Sequence, residues 1–206
     1  MARYKRKDHL HQRAKKEGLR SRAAYKLEEV QKSSRLLSRG QRVLDLGCWP
    51  GGWLEVAGRL VGAEGRVVGV DRAAVEPPIE LAQVEALVGD LEDADIAARL
   101  REKLGADRAD VVLSDAAPKL TGIRETDRAN EERLLEAIAA LLPELLAEGG
   151  SFLVKILEGP EAQAIDRRLR ERFDEARTVK LRSTRKGSSE RYLVARGYRG
   201  GDPAIR

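Results

Sequence analysis

Lys155 is the residue in this chain that most needs a reason. It stands in Phe152-Leu153-Val154-Lys155-Ile156, an apolar run that reads as a buried strand. A charged side chain there is expensive unless it is paired or points into a cleft. Two carboxylates are placed to meet it: Asp115 follows the run Ala109 to Ser114, and Glu190 precedes a run that begins at Arg191. If the strands carrying Asp115 and Lys155 are neighbours in a parallel sheet, their carboxyl ends lie one or two strand spacings of ~4.8 Å apart. If the last strand inserts antiparallel beside them, Glu190 arrives at the same edge. A carboxylate–lysine–carboxylate cluster could orient a hydroxyl and share its proton. The structural alternative is an ion-pair network that only holds the sheet edge together.

A second group of residues points to a ligand. The first strand ends in Val43-Leu44-Asp45-Leu46-Gly47-Cys48-Trp49-Pro50-Gly51-Gly52-Trp53, a glycine-rich turn at the carboxyl edge of the sheet, where open α/β sheets bind ligands. Trp49 interrupts the G-x-G-x-x-G spacing of dinucleotide loops, so the pattern departs from NAD binding. Glycines let the backbone approach a bound group closely, and Asp45 can accept hydrogen bonds from a cationic amine. A methionine-derived sulfonium fits both features. The second strand ends at Asp71, placed to accept from the hydroxyls of an adenosine ribose. Gly89-Asp90 follows the third strand and Asp115 the fourth. Any one of these aspartates could be a helix N-cap, but four around one edge ring a pocket with acceptors. The loop with Asp71 points to S-adenosylmethionine.

Ser114-Asp115-Ala116-Ala117-Pro118 lacks the second proline and the aromatic residue typical of exocyclic amino methylation. Carbon methylation of pyrimidines commonly needs a cysteine nucleophile in a separate motif, yet Cys48, in the cofactor loop, is the single thiol. Both base chemistries are disfavoured, and the lone cysteine also excludes an internal disulfide.

These residues need a scaffold that brings strand ends together. Apolar runs alternate with helical patterns from residue 42 onward, the signature of a doubly wound α/β domain. We expect a Rossmann-like, mostly parallel seven-stranded sheet with an antiparallel last strand and helices on both faces. Strands are expected at Arg42 to Leu46, Arg66 to Val70, Val84 to Val88, Ala109 to Ser114 and Ser151 to Leu157. A closing antiparallel pair is expected at Ala176 to Leu181 and Arg191 to Val194. Helices are expected at Ser21 to Leu37, from Arg128 to Ala147 with a stop at Gly149-Gly150, and near Glu161 to Phe173. The domain organisation reads as a basic arm over residues 1–20, a catalytic domain over 21–200 and a tail over 201–206.

The net charge of +5 over 206 residues is unevenly spread. Residues 1–26 hold ten Lys or Arg against Asp8 and Glu17, leaving 29 basic and 32 acidic residues downstream. A second cluster runs Arg177, Lys180, Arg182, Arg185, Lys186 and Arg191, with Glu190 the one acid from 177 to 191. Two basic patches suggest a track for a polyanion such as RNA, with solvated surface as the plain alternative. No apolar run is long enough to span a membrane and the N-terminus lacks a secretory core. A cytoplasmic monomer with no metal is expected.

Taken together, the chain resembles the FtsJ/RrmJ (RlmE) ribosomal RNA 2′-O-methyltransferases. The resemblance covers about Ala14 to Gly197. It rests on Arg20-Ser21-Arg22-Ala23-Ala24-Tyr25-Lys26-Leu27, the Asp45 to Trp53 loop, Asp71, Gly89-Asp90, Ser114-Asp115-x-Ala117-Pro118, Val154-Lys155 and Ser188-Ser189-Glu190-x-Tyr192. It implies a Lys26, Asp115, Lys155, Glu190 tetrad and cofactor contacts from Gly51, Trp53, Asp71, Asp90 and Asp115, beside Asp45 and Gly47 already noted. It also implies the large ribosomal subunit as substrate, with the A-loop uridine of 23S ribosomal RNA as target. Lys155 as proton acceptor would need its ~10.4 reference value lowered by burial and by Lys26, against Asp115 and Glu190. Lys155 could instead orient the hydroxyl. Two positions depart from the family: Lys119 stands where Asn is common, and Cys48-Trp49 replaces smaller residues, Trp49 reading as a cover over the cofactor or a platform for a base. The competing readings are transfer RNA methylation, a non-catalytic RNA-binding assembly factor that keeps the fold, and an NAD-dependent oxidoreductase.

Overall fold

A computed structural model describes residues 13, 14, 16–156, 160–184 and 190–200. Most of the expected basic arm, the expected tail, and Arg185, Lys186, Ser188 and Ser189 lie outside the described residues. The elements in chain order are α1 (Ala24–Ser34), β1 (Arg42–Leu46), α2 (Gly52–Val61), β2 (Arg66–Asp71), β3 (Val84–Val88), α3 (Ile96–Leu104), β4 (Ala109–Ser114), α4 (Arg124–Leu145), β5 (Leu146–Ile156), α5 (Pro160–Arg170), β6 (Phe173–Val179) and β7 (Arg191–Tyr198). Seven strands form one sheet in the order β3-β2-β1-β4-β5-β7-β6. β1 to β5 run parallel, and β7 inserts antiparallel between β5 and β6. This is the Rossmann-like sheet expected, antiparallel last strand included.

Strand periodicity divides the core into two layers. Leu44, Val68, Val112 and Phe152 face one side, where Ile96, Leu100, Leu142 and Ile165 cover them. Their neighbours Val43, Val67, Val111 and Leu153 face the other, under Leu27, Val30, Leu54 and Val61. Both faces are covered, so the central strands read as continuous apolar runs instead of alternating ones. Strand order reverses between β1 and β4, which opens a crevice at their carboxyl ends.

Several boundaries differ from expectation. The first helix is shorter than Ser21 to Leu37 because Arg35 turns left-handed at φ 46° and its N–H bonds back to the Gln31 carbonyl. The long helix starts at Arg124 and ends at Leu145, and β5 follows at Leu146 without a turn. Gly149-Gly150 is therefore not a helix stop. It lies inside β5, where the β4–β5 register shifts between Ala109 and Val111. Pro143 sits in the last turn of α4 and leaves the Ala139 carbonyl without its usual N–H donor. Arg172 donates to that carbonyl instead, at 3.2 Å. The outer pair is longer than expected, at Phe173–Val179 and Arg191–Tyr198.

Candidate active site

The N-terminal segment is tied across the crevice before α1 begins. Arg20 donates to the carbonyls of Pro77 at 2.5 Å and Pro78 at 2.7 Å, and the Trp53 indole N–H donates to the Ala23 carbonyl at 2.7 Å. A side chain at Gly52 would collide with Ser21, so glycine there lets the segment lie on the start of α2. Ala24, Leu27 and Val30 then bury completely against α2. The result is that Lys26 points into the sheet edge and is 6% exposed.

Lys26 meets two carboxylates there. Its Nζ lies 3.0 Å from Asp115 Oδ2 and 2.5 Å from Glu190 Oε1. Asp115 follows β4, and Ser114 fixes its direction by donating to the Leu46 carbonyl at 2.7 Å. Lys155, on the neighbouring β5, donates to the Asp115 main-chain oxygen at 2.8 Å and lies 3.4 Å from Asp115 Oδ1. Lys26, Asp115, Lys155 and Glu190 are thus brought into one cluster, formally two cations against two anions.

Tyr192 completes the cluster, a part that sequence reading quoted only within a motif and gave no role. It is wholly buried and is the register partner of Lys155 across β5 and β7. Its hydroxyl contacts Asp115 Oδ1 at 2.7 Å and also Glu190 Oε1. Burial first, then the charges of Asp115 and Glu190, push its phenol far above the usual range, so it stays a donor. Having one proton, it serves one carboxylate at a time. Lys26 Nζ lies 5.4 Å from its ring centroid, and the centroid of the Trp53 ring lies 6.1 Å away. The spacing of Tyr192 two residues after Glu190 could have suggested it.

The expected cofactor residues line the adjacent edge. Asp45, at 1% exposure, has one carboxylate oxygen buried without a partner among the described residues. Burial, followed by the charges of Asp115 and Asp71, raises its pKa well above the usual value. An orphaned buried carboxyl of this kind fits a cationic amine, which would supply the missing partner and favour the ionised form. Gly47 has φ +84°, and a side chain there would overlap Ala116, so the loops after β1 and β4 pack directly together. Gly51 immediately precedes α2. Asp71 is held by N–H bonds from Trp49 and Ala73, each 3.0 Å, leaving further lone pairs for ribose hydroxyls. Asp90 pairs with Arg72 at 2.5 Å.

Trp53 differs from the other cofactor candidates. Its indole is buried at 3% exposure and braces the N-terminal segment, so a contact from position 53 would come through its main-chain N–H in the first turn of α2. Trp49, in contrast, is 58% exposed on the rim. A separate cavity of about 580 Å³ lies between Arg20, Pro50, Glu55 and the Pro77-Pro78 segment. None of the clustered residues or cofactor aspartates lines it.

The chain is 41% identical over 197 residues to the ribosomal RNA large subunit methyltransferase E of Methanothermobacter thermautotrophicus, covering 95% of this chain and 92% of that one. It is 42% identical over 196 residues to the protein of the same name from Magnetococcus marinus, covering 92% and 90%. The crystal structure of a ribosomal RNA methyltransferase from Plasmodium falciparum superposes with a TM-score of 0.77 at 28% identity, covering 88% of this chain and all of that one. Aeropyrum pernix fibrillarin, solved with natively bound S-adenosyl-L-methionine, shares the fold at a TM-score of 0.60 and 16% identity, covering 85% and 76%. The FtsJ-like methyltransferase family model matches residues 19–198, and the chain belongs to that family, whose cofactor is S-adenosylmethionine.

Proposed function

We propose that this protein transfers a methyl group from S-adenosylmethionine to a ribose 2′-hydroxyl of RNA, and that its target is the A-loop uridine of 23S ribosomal RNA in the large subunit. The observation that carries the reading is the half-enclosed cluster of Lys26, Asp115, Lys155, Glu190 and Tyr192 beside the orphaned Asp45 carboxyl. The names of the relatives, large-subunit ribosomal RNA methyltransferases, support the substrate class.

When bound, the cofactor supplies an electrophilic methyl group on a positively charged sulfur. Asp45 would receive its ammonium and Asp71 its ribose hydroxyls, with Asp90 a further acceptor, while Gly47 and Gly51 would let the loop lie close to it. Asp115 stands between this edge and the tetrad. A 2′-hydroxyl is a weak nucleophile at neutral pH, so the protein must place it in line with the methyl carbon and accept or share its proton. Lys155 gives one N–H bond to the Asp115 main-chain oxygen and forms an ion pair with the Asp115 carboxylate. A further N–H or a lone pair on its nitrogen is for the hydroxyl. Lys26 and Tyr192 hold the two carboxylates in place, and Asp115 and Glu190 in turn fix both lysines. Methyl transfer would form the O–C bond as the C–S bond breaks, leaving the electron pair on sulfur, and Lys155 is placed to take or share the hydroxyl proton.

Labelled methyl transfer to undermodified large subunits tests this, with Lys155→Ala and Lys155→Arg alongside wild type. Wild type is expected to label the subunits, and Lys155→Ala to lose ~10²-fold or more. Partial activity in Lys155→Arg, which donates but does not accept, would assign an orienting role; none would assign proton acceptance. Labelling of transfer RNA with no labelling of subunits would overturn the substrate and keep the chemistry.

A further inference from the structure

Among the described residues, four large apolar side chains stand most exposed: Trp49, Val88, Leu120 and Ile123. All lie at or just beyond the carboxyl ends of β1, β3 and β4, on the edge that carries the site. They fall into two pairs. Trp49 and Val88 flank Asp71, one by the Trp49 N–H bond and the other by strand register. Leu120 and Ile123 flank nothing yet assigned, at 68% and 62% exposure.

Resting on the proposed RNA methylation, we propose that Leu120 and Ile123 form the seat for an unstacked nucleobase of the RNA substrate, next to the ribose being methylated. Three observations point there. The connection that carries them starts at Asp115, so Leu120 lies no more than ~17 Å from a tetrad residue along the chain. Its far end runs into α4, which an ion pair between Arg133 and Glu92 ties to the loop after β3 on the same edge of the sheet. The connection is held in one shape by Asp127. That carboxylate accepts from the Thr121 N–H at 2.6 Å, the Thr121 hydroxyl at 2.7 Å and the Gly122 N–H at 3.2 Å. The Thr121 hydroxyl oxygen accepts from the Ile123 N–H at 3.1 Å.

These polar bonds fix the turn ahead of α4, and they would form equally well with polar residues at positions 120 and 123. The turn therefore accounts for Thr121 and Asp127 and leaves the two apolar side chains unexplained. Lys119 and Arg124, both exposed, bracket the pair and suit the phosphates on either side of a base. A nucleobase presents an apolar face and edges that tolerate this setting, and a seat already fixed by Asp127 needs no ordering on binding.

The test compares wild type with the double variant Leu120→Ser, Ile123→Ser and with Asp127→Ala and Asp127→Asn, using full-length protein and undermodified large subunits. The double variant is expected to raise KM for the particle about tenfold, the loss of one base contact. Cofactor binding, by calorimetry with S-adenosylhomocysteine, and thermal midpoint are expected to stay at wild-type values, since both side chains are exposed. Asp127→Ala should raise KM similarly and Asp127→Asn less. A photo-crosslinker placed at position 120 should form adducts with ribosomal RNA. An unchanged KM, weakened cofactor binding, or adducts with ribosomal protein alone would overturn the seat. A wild-type protein that methylates no RNA would overturn the functional reading itself, which separates the two failures.

Discussion

Removing the hydroxyl of Tyr192 is the sharpest perturbation of the cluster, because Tyr192→Phe changes one atom and leaves the buried ring against Trp53. The lost bond runs from a phenol to a carboxylate, either Asp115 at 2.7 Å or Glu190. Hydrogen bonds to charged groups contribute ~1.5–3 kcal/mol, and only one is counted because the phenol has one proton. Lys26 remains 3.0 and 2.5 Å from the two carboxylates and keeps both paired. The expected loss of stability is therefore near the lower end, about 2 kcal/mol, or about 4–8 °C in Tm for a chain of this length. The two carboxylates then lose a shared donor, and loss of alignment at Lys155 should lower kcat about tenfold, the equivalent of 1.4 kcal/mol. KM for the cofactor should not move, since Asp45 and Asp71 are untouched. Tyr198→Phe is the control: its hydroxyl accepts from Arg172 at 2.7 Å at the opposite end of β7. It should lose stability and keep kcat. Equal kcat in Tyr192→Phe and wild type, with S-adenosylmethionine saturating, would refute the claim that the phenol organises the tetrad.

Asp45 carries a pH prediction. Its raised pKa means the folded protein keeps a proton that the unfolded chain releases near pH 4, so stability falls as pH rises from that value towards the folded pKa. A bound ammonium favours the ionised form, so cofactor binding should release a proton at a pH between the unfolded value and the raised folded one. Binding enthalpies measured in two buffers of different ionisation enthalpy should differ for wild type and coincide for Asp45→Asn; coincidence in wild type would contradict the assignment. Arg20→Ala removes the two bonds to Pro77 and Pro78 that tie down the segment ahead of Lys26. It should speed proteolytic cleavage near residue 20 and lower kcat several-fold, and Arg20→Lys should rescue little because a lysine lacks the planar fork. Affinity for large subunits should fall steeply with salt if the basic residues ahead of α1 contact phosphates. A flat salt titration would exclude that track.

The limits of β1, β3 and β4 were readable because buried parallel strands are short apolar runs closed by Gly or Asp, as at Asp45-Leu46-Gly47 and Ser114-Asp115. The junction of α4 and β5 was not, since the apolar pattern continues through Leu145-Leu146 and Gly149-Gly150 looked like a helix stop. What makes the chain extend at Leu146 is pairing with Ala109, a contact distant in sequence. Lys155, Asp115 and Glu190 were visible through the cost of a lysine within an apolar strand, whereas Lys26 was legible only through the resemblance carried by Arg20 to Leu27. Tyr192 was not, because its part follows from the register that sets it opposite Lys155. Trp53 shows a different limit: its place at the start of α2 was legible, but only the burial of its indole beneath Ala23 separates a side-chain role from a main-chain one.

The central claim is the position of the transferred methyl group. Undermodified large subunits incubated with this protein and labelled S-adenosylmethionine, then digested to nucleosides and resolved by mass spectrometry, report it directly. The account predicts label in 2′-O-methyluridine, recovered within a nuclease-resistant dinucleotide. Label on a base, or none on the ribose, would contradict it.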